Sequence, residues 1–195
     1  MTDFFEEYEF PRSVPLEVEQ VLRQATQLYS PAEVDAEVDR LAVRLTVALQ
    51  HRNPVLINVA HGGTVLFGML LRRLVFPLQT GFVHVSRYRD ATSGGELDWH
   101  ARSYPELKDR CVVLIDDILD EGRTLAAVNE AFAVEEPEEI LNVVLVNRTG
   151  LERAIEADLK AFDIAPGFLI GCGMDFKGYG RNLPGLYVLS EEGSA

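Results

Sequence analysis

Residues 112–124 read VVLIDDILDEGRT. An aliphatic run enters two adjacent aspartates, and Asp120, Glu121, Gly122, Arg123 and Thr124 follow. Four carboxylates fall within six residues, and like charges at that spacing repel. A hydrophobic run of this length reads as a buried strand, with Asp116 and Asp117 at its end. Gly122 permits a backbone conformation that other residues avoid, and Thr124 is placed to cap a following helix. Residues 120–124 then offer successive backbone amides and a helix N-terminus, which together favour an anion. The strand-end carboxylates suit vicinal hydroxyls of a sugar, met directly or through a divalent cation of the Mg²⁺ type, which takes oxygen ligands. Two other readings stand beside this one. The acids can simply cap a helix and face solvent, or one of them can be a phosphoacceptor aspartate at a strand end. The second leaves the following Gly-Arg-Thr without a purpose.

The rest of the chain supports a single α/β unit. Its 195 residues are 47% hydrophobic, enough for a packed core and too many for a disordered chain. Thirty-one acids against 18 Lys plus Arg give a net charge of −13. That balance argues against a nucleic-acid or anionic-membrane binder. The acidic segment at residues 1–10 does not resemble a signal peptide, and no apolar run is long enough for a membrane span. The expected setting is the cytoplasm. Cys111 and Cys172 sit among aliphatic or glycine neighbours and read as small buried hydrophobes.

Helical spacing over 15–29 and a second helix after Ser30 place two N-terminal helices within 15–50. Ser30, Pro31 and Glu33 have the form of a capping box with proline at the first turn. The second helix should bury Val34, Val38, Leu41, Leu45, Ala48 and Leu49, and end near Asn53-Pro54. Strands are expected at 55–60, 81–88, 112–117, 140–147 and 167–173, with helices at 65–75 and 125–134. A short helix is also possible after Thr149, whose spacing to Glu152 fits a capping box. Apolar strands alternating with helices make a mostly parallel twisted sheet covered on both faces. Ligands then bind beyond the C-terminal strand ends, where HGG, DDILDEG, NRTG and GMDF should converge. The polar stretch 89–104 reads as a long loop and a candidate lid.

With these segments in order, the chain resembles the type I phosphoribosyltransferases, and within them the bacterial hypoxanthine-guanine enzymes. VVLIDDILDEGRT is similar to their phosphoribosyl pyrophosphate signature, and the likeness runs from about residue 30 to the end through HGG, SRYRDATSGGE, LVNR and GFLIGCGMDFKGYGRN. The resemblance implies one domain over 1–195, with a small hood and a mobile lid at about 87–104 that begins with Arg87 and Tyr88. It implies that Asp116 and Asp117 bind ribose hydroxyls and Mg²⁺, and that Asp120 is the general base. Glu121, Gly122, Arg123 and Thr124 would cradle the 5′-phosphate. His61 and Gly62 match a pyrophosphate loop in which a non-proline cis peptide is typical, and Arg181 would contact pyrophosphate. Arg148 would read the purine 6-oxo group, Phe168 would stack on the base, and the Leu169 carbonyl would accept from it. Asp175 would help hold a second Mg²⁺.

The implied reaction makes IMP or GMP and pyrophosphate from hypoxanthine or guanine and 5-phosphoribosyl 1-pyrophosphate, in a homodimer or homotetramer. Transfer to xanthine or a pyrimidine, or a non-catalytic nucleotide-binding regulator, are the alternatives. Three positions depart from the pattern. Arg148 replaces the usual lysine, His61 stands where lysine or arginine is common, and Arg87 replaces a serine. His51, His84 and His100 lack metal-ligand spacing and receive no role.

Overall fold

The computed structural model describes residues 5, 8–87 and 97–189, with the backbone alone at 87 and 97. Helix α1 is Leu16–Gln24, followed by β1 (Thr26–Tyr29) and α2 (Pro31–Leu49). β2 (Val55–Ala60), α3 (Thr64–Leu71), β3 (Gln79–Arg87) and β4 (Leu97–Ser103) come next. β5 (Cys111–Leu119), α4 (Arg123–Ala133), β6 (Glu139–Arg148) and β7 (Leu159–Ile164) complete the main layer. β8 (Phe168–Ile170) and β9 (Leu186–Leu189) close the described chain.

Six strands form the main sheet in the order β4-β3-β2-β5-β6-β7. All its pairings are parallel except β3 with β4. β5 is central and covered on both sides, which is why its sequence is continuously apolar rather than alternating. Leu41 and Leu45 of α2 and Leu66 and Leu70 of α3 pack on the face bearing Val113 and Ile115. Leu125, Val128 and Phe132 of α4 pack on the face bearing Val112 and Leu114. Cys111 and Cys172 are buried and free, and burial pushes their thiols up to about 11 and about 12.

A second sheet, β1-β9-β8, is antiparallel. α1 lies on it through Val18, Val21 and Leu22, which meet Ile170, Tyr187 and Leu189. This small layer corrects two sequence expectations. The helix expected over 15–29 stops at Gln24, because Thr26 and Gln27 pair with Val188 and Tyr187 at the far end of the chain. The strand expected at 167–173 is shortened to Phe168–Ile170 and joins the small sheet. β7 takes the next parallel place, beside β6. The short helix expected after Thr149 is absent. Residues 151–157 instead run irregularly across the sheet edge, and Ala154 N–H donates to Glu121 O at 2.9 Å.

The polar segment 89–104 is only partly a loop, since 97–103 pairs with β3 as a strand. Residues 88–96 of the expected lid, Tyr88 among them, lie outside the described residues. In α2 the capping box is present in both directions: Ser30 Oγ accepts from Glu33 N–H, and the Glu33 carboxylate accepts from Ser30 N–H at 2.8 Å. The helix ends at Leu49, earlier than expected, and buries Ala42 where Ala48 was expected. Among the described residues no helix is long and apolar enough to cross a membrane.

Ser30→Ala removes one of these two reciprocal bonds from an exposed cap. It should lower the unfolding free energy by about 1 kcal/mol with an unchanged denaturant slope, as read by urea titration.

Candidate active site

The C-terminal ends of β2, β5 and β6 and the edge of the small sheet enclose one cleft of about 760 Å³. β5 does not stop at the aspartates. It continues to Leu119, pairing Ile118 and Leu119 with Val146 and Asn147 of β6. Asp116 and Asp117 therefore lie inside a hydrogen-bonded strand, on opposite faces. Asp117 N–H donates to Asp116 Oδ1 at 2.9 Å, and Ile118 N–H donates to Asp117 Oδ1 at 2.8 Å. Burial and then the charge of Asp117 push the Asp116 carboxyl well above the usual range. Burial also raises Asp117, against lowering by its hydrogen bonds and by Arg181.

Glycines bring other backbone onto this pair. A Cβ on Gly62 would lie 2.4 Å from Asp117 Oδ2, and one on Gly63 would lie 2.2 Å from Ile115 O. Gly173, with φ +112°, would place a Cβ 2.1 Å from Gly62 O. Gly63 and Gly173 were missed as site residues. The alternation of Gly171 and Gly173 in an otherwise strand-like run was the available signal. The Ala60–His61 peptide is cis. Ala60 and Gly62 line the cleft, whereas the His61 ring stands against His84 with centroids 4.3 Å apart.

Beyond β5 the chain turns through Asp120 and Glu121 into α4. Gly122 occupies the N-cap with φ +71°. Thr124 therefore lies in the first turn rather than at the cap, contrary to the sequence expectation. Glu121 and Arg123 pair with each other at 3.0 Å, both well exposed, which leaves the backbone amides at this helix start as the inward-facing donors. All five residues from Asp120 to Thr124 line the cleft.

The opposite wall carries side chains. Arg148, at the end of β6, is only 8% exposed. Its Nε donates to Asp120 Oδ1 at 3.0 Å and its Nη1 to Ala165 O at 3.2 Å. Phe168 leaves 41% of its surface exposed, with its ring edge-on to Phe176 at 5.8 Å. Leu169 is buried beneath it in β8. Arg181 forms an ion pair with Asp175, donates to Gly173 O at 2.5 Å, and has Nη1 3.9 Å from Asp117. Asp175 also accepts from Gly178 N–H at 2.5 Å. Of the described residues singled out from the sequence, the cleft thus gathers all but His61, which flanks it. Tyr88 and the Arg87 side chain lie outside the described residues.

The cleft thus combines the backbone at the start of α4, the side chains of Asp120, Arg148 and Phe168, and the carboxylates of Asp116 and Asp117. A family model described as phosphoribosyl transferase domain matches residues 24–177. The chain belongs to the phosphoribosyltransferase family. It is 32% identical over 167 residues to the bifunctional protein TilS/HprT of Listeria innocua serovar 6a. That alignment covers 85% of this chain and 26% of the other, so this phosphoribosyltransferase spans about a quarter of that relative. It is 30% identical over 167 residues to a hypoxanthine-guanine phosphoribosyltransferase of Streptococcus pyogenes serotype M3, covering 85% of this chain and 93% of that one. Among solved structures, a hypoxanthine phosphoribosyltransferase of Staphylococcus aureus superposes with a TM-score of 0.82 at 25% identity, over 87% of this chain and 94% of that chain.

The carboxylate pair generates a stability prediction. Because the folded state raises the Asp116 pKa, the native protein binds more protons than the unfolded chain, and stability falls as pH rises above the usual aspartate value. Asp116→Asn keeps the acceptor for Asp117 N–H and removes the charge. Its Tm at neutral pH should exceed the parent's by about 2–4 °C, equivalent to roughly 1 kcal/mol in a chain of this size. The difference should close as pH approaches about 4. Scanning calorimetry across pH checks both the sign and the closure.

Proposed function

We propose that the chain transfers the 5-phosphoribosyl group of 5-phosphoribosyl 1-pyrophosphate to hypoxanthine or guanine, forming IMP or GMP and pyrophosphate. The observation that carries this reading is the Asp120–Arg148 pair, set in the same cleft as the exposed Phe168 ring. A 6-oxopurine presents an acceptor oxygen beside a ring N–H. Arg148 offers donors to the first and Asp120 an acceptor to the second. An adenine 6-amino group would face a guanidinium with nothing to donate to. Phe168 stacks on the purine ring, and the Leu169 carbonyl accepts from it.

The reaction forms a bond from the purine nitrogen to the anomeric carbon and breaks that carbon's bond to the pyrophosphate oxygen. The nitrogen's proton passes to Asp120. The breaking bond develops oxocarbenium character at the ribose. Asp116 and Asp117 hold the ribose hydroxyls, and the backbone of 121–124 holds the 5′-phosphate. His61, Gly62 and Arg181 border the departing pyrophosphate. Arg87 and Tyr88 begin the cover that excludes water, which would otherwise hydrolyse the activated sugar.

Mg²⁺ fits this donor set. Among the described residues no cluster of three or more side chains cages a metal. Asp116 and Asp117 are nonetheless hard oxygen donors whose mutual repulsion a cation relieves, and Mg²⁺ is commonly shared between one or two carboxylates and substrate phosphates. When bound, it neutralises charge accumulating on pyrophosphate. Asp175 is the candidate ligand for a second ion, in exchange for its pairing with Arg181. A homodimer or homotetramer in the cytoplasm completes the reading. Exposed Val43 and Val47 on the outer side of α2 offer apolar surface for self-association.

The test is product formation by purified chain with Mg²⁺ and 5-phosphoribosyl 1-pyrophosphate on hypoxanthine, guanine, xanthine, adenine and uracil. Nucleotide should form from hypoxanthine and guanine and scarcely from adenine. If no oxopurine yields nucleotide, the reading is wrong. Asp120→Asn should lower kcat by about 10²–10⁴ with a smaller change in KM. A loss of only a few-fold would remove Asp120 from the role of base.

A further inference from the structure

Three imidazoles stand in a row beside the cleft, and only the inner one enters the reading above. His61, in the loop after β2, meets His84 on β3 edge-to-face at 4.3 Å between centroids. His84 meets His100 on β4 at 4.6 Å. His100 Nε2 is 2.7 Å from Ser86 Oγ, and its Nδ1 is 3.7 Å from an Asp98 carboxylate oxygen. Strand register builds the row. Ala60 pairs with His84 across β2 and β3, and an irregularity between His84 and Val85 in the β3–β4 pairing carries His100 alongside. These histidines are therefore tied to the loop that carries Gly62 over Asp117.

The loop itself, His61–Gly62–Gly63, contains no lysine or arginine. Arg181 is already engaged with Asp175 and Gly173 O. Among the described residues, a pyrophosphate over this loop would find Arg181, already paired with Asp175, as the fixed positive charge beside it. Among the described residues, the charged groups that act on His84 are His61 from the loop and His100 from β4, with Asp98 behind His100. α4 packs on the other face of β3, where Val83 and Val85 meet Val128 and Phe132. Burial first, and then the two neighbouring imidazoles, hold His84 below the usual histidine value. Without an anion, His84 resists protonation, because a charge on it is disfavoured by burial and by like charge on its neighbours. A nearby anion reverses that preference.

We propose, resting on the phosphoribosyl-transfer reading, that His61, His84 and His100 form a proton-accepting row that positions the pyrophosphate group. Bound pyrophosphate meets His61, and protons drawn onto the row supply the positive charge that the loop lacks. His84 and His100 act through His61 and are positioning residues.

The sign follows from linkage. The complex holds more protons than the free protein, so affinity falls as pH rises between the free and bound pKa values of the row. One proton taken up gives a limiting slope of about tenfold per pH unit. The experiment is calorimetric titration of magnesium pyrophosphate into the full chain at about pH 6, 7 and 8, for the parent, His84→Asn and His100→Gln. Ionisation of pyrophosphate itself is common to all three proteins and cancels in their ratios. The parent should bind several-fold tighter than either variant at the lowest pH and about equally at the highest. Its binding heat should depend on the buffer's ionisation enthalpy, and this dependence should shrink in the variants. Equal pH slopes in parent and variants, with pyrophosphate binding intact, would overturn the row alone. Failure of pyrophosphate to bind the parent at any pH would overturn the phosphoribosyl-transfer reading together with it.

Discussion

The structure depends on one crowded contact: two aspartates near the end of the central strand, with a glycine backbone pressed onto the second of them. β5 is covered on both faces by apolar side chains, and its hydrogen bonds to β6 continue past Asp116 and Asp117. The carboxylates therefore cannot swing out to separate. Gly62 closes over Asp117, and Gly173 closes over Gly62 at a distance that leaves no room for a Cβ. Three chain segments, from β2, β5 and the turn after β8, are thus fixed relative to one another before any substrate arrives. Burial raises both carboxyls, and the charge of Asp117 raises Asp116 further. The core stabilises the strand that carries this cost, and positive charge arriving with substrate reduces it.

Under the proposed function, a chain with a net charge of −13 binds an anionic sugar phosphate. Net charge governs encounter and solubility, whereas a bound phosphate responds to the dipoles within a few ångströms of it. At the start of α4, Gly122 in a left-handed conformation turns the backbone so that unpaired amides of the first helical turn face the cleft. Glu121 and Arg123 neutralise each other outside. The end proposed for the phosphate is consequently built from main chain, and side-chain chemistry is left to the opposite wall.

The parts legible in the sequence were those whose pattern is local. The capping box of α2 needs only Ser30 and Glu33, and the apolar runs of β2, β5 and β6 announce themselves because both faces are buried. The acidic loop was legible for the same reason, since its residues are contiguous. β1 was not, because its pairing partner Val188 lies far along the chain while the residues before it continue a helical spacing. β4 was hidden by polar composition, since it is an edge strand with little to bury. The row from His61 to His100 depends on two strand registers and an irregularity in one of them. No spacing rule in a linear sequence encodes that.

Arg148 shows why an arginine at the end of β6 differs physically from the lysine expected by resemblance. A lysine would bring a flexible point charge that follows whatever acceptor is present. The guanidinium is planar and already held at two edges, by Asp120 through Nε and by Ala165 O through Nη1. Its remaining donors therefore point in directions set before a base enters, and the surrounding side chains keep it only 8% exposed. The same ion pair engages one oxygen of the Asp120 carboxylate, and under the proposed function the second oxygen meets a ring N–H. In that reading, base recognition and proton acceptance meet in this one ion pair. Under the proposed function, a ring that satisfies the guanidinium's remaining donors is brought into line with the carboxylate, and one that cannot leaves those donors unmet.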